Sequence, residues 1–229
     1  MFMQKIRHST RKHRHVVLIV VIVLNIGLVV AFGVWDSGDK YSRSSGGTTT
    51  AADTVASYEE YLAGQEPADP SGIDYTQAVS LAQSYATLGN YCLEAALAAE
   101  DSTQSAEYMV KRGVAATKAA DYYGRAIELA PDTITGVSLA VMQKSQAEQL
   151  LTAGETEAAR PLYEAAYAAA PDNYDIARSY AIFKMSTEGY DAAAAVLDAY
   201  MATQERDSTN YQNAEAFKQY LQFNSNIEQ

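Results

Sequence analysis

The chain has 229 residues and a formal net charge of −11; nearly half of it is apolar, and its aromatic residues are mostly tyrosine, 17 against 5 Phe and 1 Trp. The charge is divided sharply: Lys5, Arg7, Arg11, Lys12 and Arg14 precede the first acidic residue, Asp36, whereas residues 36–229 carry 12 basic and 28 acidic side chains, net −16. A region that acidic repels phosphate backbones and anionic headgroups, which argues against nucleic acid as a partner.

Residues 1–15 read as a basic cytoplasmic tail that sets topology by touching anionic lipid at the inner surface. Residues 16–35, VVLIVVIVLNIGLVVAFGVW, hold no charge over 20 positions, the length that spans a bilayer as a helix. The basic flank upstream predicts a single-pass anchor with the N-terminus inside and the remainder extracytoplasmic. A cleaved signal peptide is the rival reading, because Ala31-Phe32-Gly33 loosely fits a small-x-small cleavage site. Gly27 and Ala31 lie four apart and would let two such helices approach, the sequence basis for a homo-oligomer.

Residues 36–72 are rich in Ser, Thr and Gly and read as a flexible linker, with a short helix around 55–62 and a loop marked by Pro67 and Pro70. As a coil, such a segment spans on the order of 30–35 Å. From Ile73 onward almost every segment has helical spacing and strands are not indicated, so residues 73–223 are expected to form an all-α domain, with 224–229 as a C-terminal tail. Ala78, Leu81, Tyr85, Leu88, Cys92, Ala95 and Ala99 alternate three and four apart, as do Met109, Gly113, Ala116, Ala120, Tyr123 and Ile127. That spacing predicts two long antiparallel helices, 74–100 and 104–130, with Asp101-Ser102-Thr103 as the turn and Ser102 or Thr103 as cap. Gly89 and Gly113 then fall at similar heights, where the backbones can approach. A break at Gly89-Asn90 is the alternative. Cys92 is alone, so no internal disulfide forms, and its apolar neighbours predict an inert buried thiol.

Two helix-end phrases, IELAPD ending at Asp132 and YAAAPD ending at Asp172, point to an internal repeat. Ala147, Leu150, Gly154, Ala159, Tyr163, Ala166 and Pro171 recur in part as Ala119, Tyr123, Ala126 and Pro131. They recur again as Ala177, Tyr180, Ala181, Gly189, Tyr190, Ala193, Leu197 and Tyr200, with Glu188 where a turn glycine usually sits. This pattern resembles the tetratricopeptide repeat (TPR) family over roughly residues 73–203. Residues 210–223 read as a closing helix with Tyr211, Phe217, Tyr220 and Leu221 covering the last repeat. The resemblance implies a TPR-like α-solenoid of antiparallel helix pairs, preceded by one transmembrane helix. It further implies a concave face lined by the first helix of each pair. In that register the face carries Gln83, Lys144, Glu148, Asp175, Arg178, Ile182 and Met185, with Lys144 and Arg178 as cationic anchors and Ile182 and Met185 as apolar contacts. Family members that hold a terminal carboxylate use Lys, Arg and Asn; here Gln83, Glu148 and Ile182 occupy the asparagine-type positions, so that clamp is not implied.

The chemistry of catalysis is sparse. All three histidines precede residue 16, which removes Ser-His-Asp, Cys-His and His-based metal sites from the outer domain. No GxxxxGK or GxGxxG phosphate loop is present. Glu59/Glu60 and Glu155/Glu157 read as helix-start or surface charge. No catalytic, cofactor or metal residues are assigned. The expected function is a scaffold or adaptor of a bacterial cell envelope that binds a protein or peptide partner. A self-assembling structural protein is the alternative, and an enzyme is the least favoured reading.

Overall fold

Capping side chains set where the first helices begin. Thr50 and Asp53 cap α1 (Ala51–Ala63) reciprocally, each side chain accepting from the other's backbone N–H. Asp74 and Gln77 do the same for α2 (Tyr75–Ala98). Asp101, rather than the expected Ser102 or Thr103, caps α3 (Ser102–Leu129) by accepting from the Gln104 N–H at 2.8 Å. The carboxylate is the stronger acceptor for a free helix-end donor. Five helices follow: α4 (Val137–Ala153), α5 (Thr156–Ala169), α6 (Tyr174–Glu188), α7 (Tyr190–Met201) and α8 (Thr209–Ile227). The computed structural model describes residues 50–69 and 72–227, and among these no strand occurs. The basic tail, the span at 16–35 and the first part of the linker lie outside the described residues. Among the described residues no helix is long and apolar enough to cross a membrane.

Consecutive helices pair antiparallel. In α2–α3, Tyr85 meets Lys118 and Tyr122 while Gly89 meets Arg112. In α4–α5, Ala147 shares a cluster with Ala159 and Tyr163, while Ala140 shares one with Ala166 and Ala170. In α6–α7, Phe183 packs with Ala193 and Ala177 with Tyr200. The pairs then stack: α4 rests on α3, α6 on α4 and α5, and α8 closes the row against α7 and α6. This is the arrangement of an α-solenoid.

Helices α2 and α3 run unbroken through Gly89-Asn90. Close approach at the two glycines does not occur as expected. A Cβ at Gly113 would meet nothing within 4 Å, and one at Gly89 would meet Arg112 at an ordinary 4.0 Å. The α2–α3 seam is instead closed by fully buried alanines, among them Ala78, Ala82, Ala116 and Ala119. In the later pairs glycine marks the turns: Gly154 ends α4 at φ 89°, and Gly189, one residue after Glu188, joins α6 to α7 at φ 91°.

The linker expectation needs correction at its C-terminal end. Residues 51–63 are helical and packed, with Val55 and Leu62 buried at 1% and 2% exposure in one cluster with Tyr85, Leu88 and Cys92. Glu59 pairs with Lys111 at 2.8 Å, so it is not merely helix-start charge. Past α1, the Glu66 carboxylate accepts from Lys118 at 2.6 Å and from the Tyr85 hydroxyl. Apolar burial and two long-range ion pairs thus fix a segment whose Ser/Thr-rich approach reads as coil. The closing helix also runs longer than 210–223, and Phe217 and Leu221 join the α4–α8 core as anticipated.

Candidate functional site

The first helices of the later pairs, α4 and α6, lie side by side and bring three polar groups together. Lys144 and Glu148 are one turn apart on α4, the spacing at which side chains share a helix face; their charged atoms are 3.4 Å apart. From α6, the Ser179 hydroxyl donates to the same Glu148 oxygen at 2.7 Å. Glu148 is therefore held from two helices. Tyr163 of α5 lies behind it, buried, and its phenol is pushed far up by burial first and by the Glu148 charge second. Tyr123 of α3 is raised by burial against a lowering hydrogen bond from Ser145, with the Glu148 charge adding to the rise. Neither phenol ionises near neutral pH, so both serve as packing and hydrogen-bonding groups.

The expected anchors are thus already engaged. Lys144 is paired, and its side chain is only 18% exposed. The Arg178 guanidinium lies over the Phe217 ring of α8 at 5.0 Å, a cation–π contact that ties α6 to the closing helix. Ile182 and Met185 are half-buried against the core shared by α4–α8. Asp175 is exposed in the first turn of α6, and Gln83 is exposed on α2, outside the contacts that join α4 to α6. The structure therefore brings Lys144 and Glu148 together, sets Arg178, Ile182 and Met185 along α6 beside them, and leaves Gln83 apart. Two participants escaped the sequence reading as site residues, Ser179 and Phe217. Ser179 stands one turn before Ile182, which is the register equivalent of Glu148, and that offset is the signal that could have found it.

The surface carries compensated charge, a short hydroxyl contact and partly exposed apolar side chains. Among the described residues, no three His, Cys, Asp or Glu side chains gather as a metal site would require. A cleft of about 120 Å³ lies between α1 and α2, lined in part by Tyr61, Gln65, Gln77 and Ser80. It is smaller than the usual small-molecule pocket and lies away from the α4–α6 face.

Stacked antiparallel helix pairs with a polar first-helix face define the class of helical-repeat interaction modules. Within that class, residues 150–216 match the tetratricopeptide repeat family, a span from the last turn of α4 into α8. No curated protein and no solved structure matches the chain.

Proposed function

We propose that the chain is a membrane-anchored scaffold or adaptor whose repeat domain captures a protein or peptide segment on the extracytoplasmic side. The observation that carries this reading is the tetratricopeptide match over residues 150–216, which takes in α5, α6 and α7, with α6 packed beside α4. The anchor and its orientation rest on the uncharged run at 16–35 behind a basic N-terminus. The partner segment carries an acidic group, which competes with Glu148 for Lys144 and approaches Arg178. It also carries an apolar group that contacts Ile182 and Met185.

The test has two arms. Protease added to spheroplasts should digest the domain, and the mature chain should retain its N-terminal residues; a protected domain or a trimmed N-terminus contradicts the anchored topology. Crosslinking and capture from membranes should then be weakened by Lys144→Glu with Arg178→Glu, while helical content stays unchanged. Capture that survives this pair but fails when α1 or the linker is altered would place the binding surface elsewhere.

A further inference from the structure

Helix α3 has an outer face that its neighbours leave open. Val110 and Val114 stack one turn apart, 68% and 57% exposed, and Met109 beside them is 44% exposed. Glu107 lies one turn before Val110 and Asp121 two turns after Val114; both are exposed. The four residues span about 20 Å of helix. Neither carboxylate has an ion pair among the described residues.

The reason lies on the flank of α3 that meets α1. Lys111 stands four residues after Glu107, the usual spacing for an ion pair, and Lys118 three residues before Asp121. Both lysines are drawn away: Lys111 to Glu59 of α1 at 2.8 Å, and Lys118 to Glu66 just beyond it at 2.6 Å. Arg125, four residues after Asp121, pairs with Glu128 at 3.1 Å. Docking of α1 thus engages both lysines with Glu59 and Glu66 and leaves Glu107 and Asp121, beside the two valines, without a lysine partner among the described residues.

We propose that this outer face of α3 docks a basic amphipathic helical segment of a partner protein. Two apolar residues one turn apart would cover Val110 and Val114, and lysines or arginines on either side would meet Glu107 and Asp121. Complementary charge selects this occupant over others. Two copies packed antiparallel through their valines would bring Glu107 of one within about a turn of Asp121 of the other, like against like. An anionic lipid surface is repelled by the same carboxylates. The surface is separate from the α4–α6 face and does not depend on it.

A dye-labelled, helix-forming peptide of about 20 residues, with two leucines one turn apart bracketed by lysines, provides the probe, read by fluorescence anisotropy. The full chain is held in phosphatidylcholine nanodiscs, and a twin peptide carries glutamates for lysines. The lysine peptide should bind more tightly than the twin by about tenfold or more, and less so as salt rises. Val110→Asn with Val114→Asn, and separately Glu107→Gln with Asp121→Asn, should each weaken binding by about tenfold. The control pair Val137→Asn with Val141→Asn, exposed valines of α4, should leave it unchanged. No binding by the lysine peptide, equal binding by the twin, or equal loss in the α4 control would overturn the proposal. So would sedimentation showing a dimer that Val110→Asn with Val114→Asn dissociates, since a second copy would then cover the face.

Discussion

The first hairpin and the later repeats build the same antiparallel unit in different ways. Helices α2 and α3 are long, 24 and 28 residues, their seam is alanine-rich, and no glycine of positive φ marks their turn. Helices α4 to α7 are 12 to 17 residues long, turn at Gly154 and Gly189, and pack around Tyr163, Tyr180 and Phe183. The family match takes in α5 to α7 with only the last turn of α4, and stops short of the first hairpin. Small side chains let two helices run close for many turns; large rings need a matching hollow and favour shorter units that stack. The first hairpin takes α1, the helix that precedes it among the described residues, as its cover.

That contrast predicts unequal responses to truncation of the core. Phe183, fully buried and stacked on Tyr163 at 4.9 Å, is shared by α5, α6 and α7. Phe183→Ala should cost about 3–5 kcal/mol and lower the melting temperature of the whole domain. Leu62→Ala removes a comparably buried side chain from α1, yet its effect should be local. Limited proteolysis should cut α1 faster while the main melting transition moves little. Equal global destabilisation by the two changes would mean that α1 is integral to the fold and not a cover.

Overpacking comes next in size. Ala159 is fully buried in the cluster that joins α4, α5 and α6. Ala159→Leu should cost about 1–3 kcal/mol by calorimetry. An unchanged melting temperature would show that this repeat contact has slack.

The cover should also respond to acid. Hydrogen bonds from Lys118 first, then from Tyr85, hold the Glu66 carboxyl below its usual range. Burial alone would lower the Lys118 pKa, but its hydrogen bonds to Glu66 and Tyr85 outweigh that and raise it. A depressed carboxyl contributes stability above its unfolded pKa and loses it as pH falls through the folded value. Proteolysis of α1 should therefore accelerate below about pH 4. Glu66→Gln should abolish most of that pH dependence, and a profile identical to the native chain's would rule out Glu66 as the latch.

The smallest effects have opposite signs at two glycines. Gly154→Ala forces an L side chain into the left-handed region at φ 89° and should cost about 1–2 kcal/mol. Gly113→Ala sits mid-helix in open space and should gain about 0.5–1 kcal/mol. Urea unfolding of both variants checks this; the same sign for both would contradict the distinction between turn and helix glycines.

Much of this was legible in the sequence. The unbroken three-and-four spacing from Ala78 to Ala99 predicts a long helix, and Gly154 with Pro171 frames the α5 pair. The Lys144–Glu148 pair has the spacing of a helix ion pair, yet the sequence reading takes Lys144 as an anchor for a partner. The sequence predicts a short helix at 55–62 but not its packed state, because the ion pairs that dock it reach 52 residues along the chain. Ser179 needs the repeat register as well as local spacing: its bond to Glu148 joins two first helices that only stacking makes neighbours.

Capture of a partner on the α4–α6 face is the central claim, and site-specific photocrosslinking in intact membranes tests it most directly. A photoactivatable residue is placed in turn at Ser179, between α4 and α6, and at Glu164, exposed on α5. A discrete protein adduct from position 179, absent from position 164 and lost with Lys144→Glu, is the predicted result. Adducts from position 164 with none from position 179 would contradict it.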